Sequence, residues 1–235
     1  MKLFYVPDIS ADDIELPAEE SHHIINVLRL QKGDQLEITN GRGELYQCEI
    51  IGTDKKRVSA IIKRQLSIEQ DRNYKLHIAI APPKNINRFE WFLEKATEIG
   101  IDEITPIITE NSERKELRIE RLEKIVIAAM KQSLKAYKPV LNPVISLDDF
   151  LQHKYADYQL FIAYCGMEDR GFLKNLYKAG NNATILIGPE GDFSNDEVRL
   201  AKEKGYCTVS LGGSRLRIET AGIVACHAIY LLNSH

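Results

Sequence analysis

The sequence predicts an α/β protein, in which a parallel sheet is covered by helices on both faces and is preceded by a smaller β-rich domain. From Tyr74 onward, short apolar runs alternate with stretches of helical period. Before that point the chain carries short strand-like runs separated by turn residues. The polar stretch Ser67–Asn73 is typical of a linker. We therefore predict two domains, residues 1–70 and residues 74–235.

The first domain is predicted to be a small β-barrel. Its predicted strands are Lys2–Val6, Gln35–Thr39, Glu44–Ile51 and Arg57–Arg64. Asn40-Gly41 lies between two of these strands and is a strong hairpin signal. A short helix within Ala18–Leu30 would turn Ile24, Val27 and Leu28 to one face.

The second domain shows the strand–helix alternation of a parallel sheet. Its predicted strands are Leu76–Ala81, Glu103–Ile108, Tyr158–Ala163, 184–187 and 206–211. Its predicted helices are Ile86–Ile99, Glu120–Leu134, a turn over Leu147–Leu151, Arg170–Tyr177, one that begins near Ser194, and Glu219–Leu232. Asn85 is the expected N-cap of the first helix, and Gly100 is its expected stop. Ligands of such sheets bind at the carboxyl ends of the strands.

Composition limits the classes of function. The chain has 235 residues and a formal net charge of −3, so any RNA contact must come from local basic patches. Cys48, Cys165, Cys207 and Cys226 form no CxxC pair, which argues against a metal knuckle or a disulfide framework. No apolar run has the length of a membrane span, and the N-terminus does not have the pattern of a signal peptide. We expect a cytoplasmic protein without a metal site.

Two glycine-bearing loops, residues 188–194 and 212–221, each follow a predicted strand and precede a helix. Glycine allows the backbone to approach a ligand closely, and the βαβ-like spacing predicts one shared pocket. Glu190 and Asp192 would repel a phosphate, and the loops match neither a P-loop nor GxGxxG. A cationic ligand such as the sulfonium of S-adenosylmethionine, or a neutral adenosine, suits them better. A purely structural role for these turns is the alternative.

Motifs along nearly the whole chain carry a family resemblance. They are His23, Val27–Arg29, Gly33-Asp34, Lys84, Lys95–Glu98 with Gly100, Gln132-Ser133, Ile187–Gly191 with Ser194 and Glu197, Leu211-Gly212, Leu216-Arg217 and Glu219–Ala221. This pattern resembles the RsmE family of SPOUT-class methyltransferases, which methylate N3 of one uridine in 16S ribosomal RNA. Two long motifs in order at the right spacing form a specific signal.

The resemblance implies a PUA-like N-terminal barrel, a SPOUT domain with a C-terminal trefoil knot, and a homodimer. It implies 16S rRNA as the partner, within the assembled 30S subunit, and S-adenosylmethionine as the cofactor. The implied cofactor-binding residues are Ile187, Gly188, Pro189, Glu190, Gly191, Leu211, Gly212, Leu216, Arg217, Ile218, Thr220 and Ala221. The candidate RNA-binding residues are His23, Arg29, Lys84, Gln132, Ser133 and Lys135.

Two residues are candidates for the chemistry. Glu190 could accept the weakly acidic N3 proton of uracil, and Arg217 could stabilise charge on a uracil oxygen. The alternatives are that Glu190 supports the loop as a carboxylate near a helix N-terminus, and that Arg217 forms an ion pair with Glu219 or a neighbour.

The chain departs from the family pattern at four places. Asp192 replaces a usual glycine, and aspartate tolerates left-handed backbone better than most residues. Ser214-Arg215 displaces the usual arginine of the second loop by one position. Lys135 replaces an arginine, which removes bidentate contact with phosphate, and Leu3 also replaces an arginine. These departures therefore affect the predicted RNA contacts more than the predicted cofactor site.

Three alternative functions are to be weighed against this one. A dinucleotide-binding enzyme would need its glycine fingerprint near the first strand of the sheet, but here the glycines come late. A non-catalytic RNA-binding protein with a degenerate pocket would not need intact loops at Gly188–Gly191 and Gly212. A SPOUT-like methyltransferase that acts on a different RNA is the third.

Overall fold

The structure is a computed structural model that describes residues 2–9, 11–54, 56–66, 72–153, 155–166 and 171–234. The chain forms two compact units, one of Met1–Asp71 with Ile127–Lys138 and one of Arg72–Val126 with Pro139–His235. Most of the predicted linker, residues 67–71, lies outside the described part of the chain. The predicted domain limits at 1–70 and 74–235 stay a prediction.

A five-stranded sheet forms the first unit. Its strands are β1 (Leu3–Tyr5), β2 (Asp13–Glu15), β3 (Gln35–Thr39), β4 (Leu45–Thr53) and β5 (Val58–Leu66). The order is β1-β3-β4-β5-β2, so the described strands form an open half-barrel with β1 and β2 at its edges. The small β-barrel predicted for this domain is thus a half-barrel in the structure. The hairpin at Asn40-Gly41 is confirmed, because β3 and β4 pair antiparallel and Gly41 has a φ of 73°.

The helix predicted within Ala18–Leu30 begins as α1 (Ala18–His22) and continues as a π-helix (His23–Leu28). Arg29 ends it with a left-handed φ of 54°. Ile24 is fully buried, but Val27 is 64% exposed, so the prediction that they share one face of the helix was wrong. The wider turn of a π-helix explains this result, because it rotates residues away from the face that a 3.6-residue period predicts.

Parallel strands alternate with helices in the second unit. The elements from Leu76 onward are β6 (Leu76–Ile80), α2 (Ile86–Ile99), β7 (Glu103–Ile108), α3 (Ile119–Gln132), β8 (Val140–Leu141), β9 (Ile145–Ser146), α4 (Leu147–Phe150), β10 (Tyr158–Ala163), β11 (Gly171–Phe172), α5 (Leu173–Leu176), β12 (Asn182–Ile187), α6 (Asn195–Glu203), β13 (Cys207–Ser210) and α7 (Ile218–Leu232). The second half of α3, from residue 127, belongs to the first unit. The strand order is β11-β13-β10-β12-β6-β7-β8, with β9 also paired to β7, and each of these pairs is parallel. The helix predicted over Arg170–Tyr177 is reduced to the single turn of α5.

Both faces of this sheet are buried, as the apolar strands predict. On one face, Ile78 and Ile80 of β6 share a core with residues of α2 and α7. On the other face, Ala79 shares a core with residues of α4 and α6. Among the described residues, no helix combines the length and the apolar character that a membrane span requires.

Local capping fixes where α2 begins and ends. The side chain of Asn85 accepts a hydrogen bond of 3.0 Å from the backbone N–H of Asn87. Gly100 ends the helix with a φ of 120°, a conformation that a side chain would strain. Both predictions for this helix are therefore confirmed.

Helices α2 and α7 approach closely at Gly222. A Cβ atom built on Gly222 would lie 2.5 Å from the ring of Phe92 and 3.1 Å from Ile80. The backbone of α7 thus occupies the space that a side chain would need. This contact fixes α7, whose N-terminal end carries the second glycine loop.

His77 is the main buried titratable group on the other face of the sheet. Its ring is 1% exposed and packs against Phe150 and Tyr155, with centroid distances of 5.4 and 5.7 Å. Nε2 lies 2.7 Å from the hydroxyl of Thr105. Burial lowers the pKa of His77 to about 4, although Glu103 at 3.8 Å opposes this shift.

We predict that Gly222→Ala lowers the free energy of unfolding by about 1–3 kcal/mol, because the new methyl group overpacks the α2–α7 contact. Gly213→Ala is the matched control, since a Cβ at Gly213 meets no atom of the described residues within 4 Å. Urea unfolding of both variants measures the effect. Equal stability of the two variants would contradict this packing.

We predict that His77 makes folding pH-dependent in acid. Its folded pKa lies below its unfolded value of 6.5, so the unfolded state takes up the proton first as the pH falls. The wild type should lose on the order of 3 kcal/mol more stability than His77→Gln between pH 6.5 and 4. Unfolding curves across this range provide the measurement. Parallel pH profiles would show that His77 does not contribute.

Candidate functional site

A cavity of about 790 Å³ lies at the carboxyl ends of β10, β12 and β13. Three loops line it, residues 163–166, 187–193 and 209–219. The first two follow β10 and β12, and the third includes the end of β13 and the start of α7. Parallel strands bring their carboxyl ends to one edge of a sheet, which is why loops distant in sequence meet here.

Asp192 shapes the first glycine loop. Its φ is 63°, the left-handed conformation that aspartate was expected to tolerate in place of glycine. Its backbone N–H donates to the carbonyl of Pro189 at 2.9 Å. Its carboxylate accepts hydrogen bonds from the N–H groups of Cys165 and Phe193, both at 2.9 Å. This carboxylate therefore ties the loop after β12 to the loop after β10, which a glycine cannot do.

The start of α6 anchors the same loop. Ser194 and Glu197 form the predicted capping box, in which each side chain accepts from the backbone N–H of the other. Glu197 also accepts from the N–H of Glu110 at 2.8 Å. The amide of Asn111 donates to the carbonyl of Asp192 at 3.0 Å. The segment after β7 thus supports the loop from outside the cavity.

Glu190 lines the cavity and is exposed. Its Oε1 accepts a hydrogen bond of 3.0 Å from the backbone N–H of Lys84. Arg114 donates to the carbonyl of Lys84 at 3.1 and 2.6 Å. The side chain of Lys84 pairs with Glu113 at 2.8 Å. Oε1 of Glu190 therefore supports the backbone, which agrees with the alternative that this carboxylate has a structural role. Its Oε2 makes no hydrogen bond with the described residues.

Arg217 is the N-cap residue of α7 and is exposed on the cavity wall. Within the described parts of the chain, its side chain makes no hydrogen bond or ion pair. The alternative ion pair with Glu219 is therefore not formed, and Glu219 instead lies 3.7 Å from Arg88. Arg215, the displaced basic residue, donates to the carbonyl of Glu190 at 3.2 Å. It links the two glycine loops.

All the predicted cofactor-binding residues except Thr220 line this cavity. Their binding of a cofactor stays a prediction. The sequence missed other lining residues, which include Arg88, Tyr164 and Cys165. Arg88 and Tyr164 are distant in sequence from the two glycine loops. The loop of Tyr164 and Cys165 could have been predicted to line the cavity only from the rule that loops at one edge of a parallel sheet converge.

The candidate RNA-binding residues lie in both units. His23, Arg29, Gln132, Ser133 and Lys135 belong to the first, and Lys84 belongs to the second. His23, Arg29 and Gln132 are exposed, and the ring of His23 packs edge-on against Phe4. Ser133 donates its hydroxyl to the carbonyl of Ala129 at 2.7 Å. Leu3, which stands where the family pattern has an arginine, is only 4% exposed. This position of β1 therefore carries a buried apolar side chain instead of a basic one.

The described residues contain no group of three or more histidine, cysteine or acidic side chains that could hold a metal ion. The cavity instead combines backbone groups of two glycine loops with charged side chains at its wall. Such a site can bind a polar ligand of moderate size.

Two family models match the chain. The RNA methyltransferase domain matches residues 70–230, and the RNA methyltransferase PUA domain matches residues 16–63. Together the two matches cover most of the sequence of both units.

Relatives and solved structures agree with these matches. The Ribosomal RNA small subunit methyltransferase E of Rickettsia conorii is 34% identical over 94% of this chain and 91% of its own. A probable rRNA-methyltransferase from Porphyromonas gingivalis has a TM-score of 0.93 and 44% identity, covering 99% of this chain and 98% of its own. A Ribosomal RNA small subunit methyltransferase E from Neisseria gonorrhoeae, bound to S-adenosyl methionine, has a TM-score of 0.88 and 26% identity, with 99% and 98% covered. The chain therefore belongs to the RsmE family of RNA methyltransferases.

Proposed function

We propose that this protein transfers a methyl group from S-adenosylmethionine to N3 of one uridine in 16S ribosomal RNA. The observation that carries the proposal is the single cavity formed by the two glycine loops, in a chain of the RsmE family. The solved relative from Neisseria gonorrhoeae binds this cofactor, which supports the same ligand here.

The cavity fits the cofactor in size and in chemistry. Its volume of about 790 Å³ lies within the range of small-molecule sites. A Cβ at Gly188 would lie 3.0 Å from the ring of Phe193, and one at Gly191 would lie 3.1 Å from Asn111. Glycine at these positions keeps the backbone close to its supports and its polar groups open to a ligand. Glu190, Asp192 and Glu219 supply negative charge that suits a sulfonium cation.

When it is bound, the cofactor supplies an activated methyl group on sulfur, so the chain must position uracil N3 and stabilise its charge. Arg217 is suited to the second task, because its guanidinium reaches the cavity wall without a recorded partner among the described residues. Glu190 Oε2 is the candidate acceptor of the N3 proton, while Oε1 holds Lys84. In this proposal Arg217 stabilises the negative charge on the uracil, and Glu190 accepts its N3 proton.

We infer that the first unit contributes to RNA binding. His23, Arg29 and Gln132 are exposed there, and Lys84 is exposed beside the cavity loop. We place the reaction in the cytoplasm, on rRNA within the assembled 30S subunit. The net charge of −3 supports recognition through such local groups rather than through a generally basic surface.

We further propose that the loops around the cavity form a trefoil knot and that the protein is a homodimer. The position of β10 between β12 and β13 supports a crossing of the chain here. Phe172, Leu176, Tyr230 and Leu231 leave large apolar side chains exposed near α5 and α7, which supports an interface. Sedimentation equilibrium at micromolar concentration tests the dimer, and a monomer at all concentrations would contradict it.

We predict that the purified protein methylates unmodified 30S subunits in the presence of S-adenosylmethionine. Digestion of the RNA and mass spectrometry of the nucleosides should find 3-methyluridine at a single site. A different methylated nucleoside would favour the alternative RNA substrate. Cofactor binding without a methylated product on 30S subunits, free rRNA or other cellular RNA would favour a non-catalytic RNA-binding protein.

We predict that Arg217→Ala lowers kcat by at least about a hundredfold and changes cofactor affinity less than about threefold, because the guanidinium acts on charge that develops in the transition state. Arg199→Ala is the matched control, since Arg199 is 71% exposed and pairs only with Asp196 on α6 among the described residues. Single-turnover rates and calorimetric titration separate the two quantities. Equal losses of rate and affinity would remove Arg217 from the chemical step.

A further inference from the structure

Arg88 and Glu219 form an incompletely bonded charge pair on the cavity wall. Arg88 Nε lies 3.7 Å from Glu219 Oε1, which is an ion pair but too long for a hydrogen bond. Glu219 is 7% exposed, and its Oε2 has no hydrogen-bond partner among the residues that the structure describes. The side chain of Arg88 is 39% exposed. Burial of a carboxylate with so few hydrogen bonds lowers the stability of the fold unless a ligand or another group supplies hydrogen-bond donors.

The packing of two helices brings the pair together. Arg88 lies one turn before Phe92 on α2, and Glu219 lies about one turn before Gly222 on α7. The close approach of Gly222 to Phe92 therefore also places Arg88 beside Glu219. Because α2 and α7 both start at the carboxyl edge of the parallel sheet, their first turns face the cavity.

Among the described residues, three other charged groups of the cavity wall are bonded to backbone groups, whereas Arg217 is not. Both oxygens of Asp192 accept backbone hydrogen bonds, and Glu190 Oε1 accepts from Lys84. Arg215 donates to the carbonyl of Glu190. Arg88 makes no side-chain hydrogen bond with the described residues, so its planar set of donors remains available. The cavity thus holds a cation and a carboxylate side by side, each with unused bonding capacity.

We propose that Arg88 and Glu219 bind the zwitterionic amino-acid end of the methyl donor. The guanidinium donates to the ligand carboxylate, with the planar geometry that suits a two-oxygen acceptor. The carboxylate of Glu219 accepts from the ligand ammonium group. Opposite charges on the protein match opposite charges on the ligand. This inference rests on the proposed function and adds specificity for the amino-acid end of the ligand.

The test compares two ligands by calorimetric titration. S-adenosylhomocysteine carries the amino-acid end, whereas 5′-methylthioadenosine has the adenosine and thioether without it. We expect Glu219→Gln and Arg88→Met each to weaken binding of S-adenosylhomocysteine at least about tenfold, the loss of one charge-assisted hydrogen bond. Binding of 5′-methylthioadenosine should change less than about twofold, because it does not reach the pair.

Arg199→Met is the matched control, since it makes the same change at an arginine of α6 that does not line this cavity and should leave the ratio of the two affinities unaltered. Equal weakening of both ligands, or unchanged binding of S-adenosylhomocysteine, would overturn the proposal, as would a selective loss in Arg199→Met. If Arg88→Met does not fold, Arg88→Lys retains the charge, loses the planar donors and should still show a selective loss. A wild type that binds neither ligand would contradict the cofactor assignment itself, whereas a wild type that binds both, with unaltered variants, contradicts only the role of the pair.

Discussion

The cavity depends on side chains that hold the backbone of neighbouring loops in place. Asp192 accepts from Cys165 and so joins the loops after β12 and β10. Arg215 donates to the carbonyl of Glu190 and joins the two glycine loops. Glycine residues make a loop able to approach a ligand, but they also make it entropically costly to order. These bonds offset that cost by fixing the loops before a ligand binds, which favours tight binding.

The support extends outward from the cavity through the backbone. Glu190 accepts from the backbone N–H of Lys84 in the loop between β6 and α2, and Arg114 donates to the carbonyl of the same residue. Asn111 and Glu110 contact the first loop and the start of α6. These supporting residues lie in the loops after β6 and β7, two strands that are buried in the sheet, so the position of the cavity loops follows from the packing of the second unit. This arrangement suits a reaction in which alignment provides much of the rate enhancement.

Local signals in the sequence predicted much of this unit correctly. Asn85 and Gly100 marked the ends of α2, and Ser194 with Glu197 marked the start of α6, because caps are formed by residues close in sequence. The two glycine loops were predicted to share a pocket, and they do. Features that depend on distant contacts were not predicted. The ion pair between Arg88 and Glu219 depends on the packing of α2 against α7 at Gly222. The exposure of Val27 follows from a π-helix, which the periodicity of the sequence did not indicate.

The most direct test of this account is a crystal structure of the protein grown with S-adenosylmethionine. The account predicts density for the cofactor in the cavity between Ile187–Gly191 and Leu211–Ala221, with its amino-acid end beside Arg88 and Glu219. Cofactor density at another site, or an empty cavity in crystals grown at saturating cofactor, would contradict the assignment of this cavity.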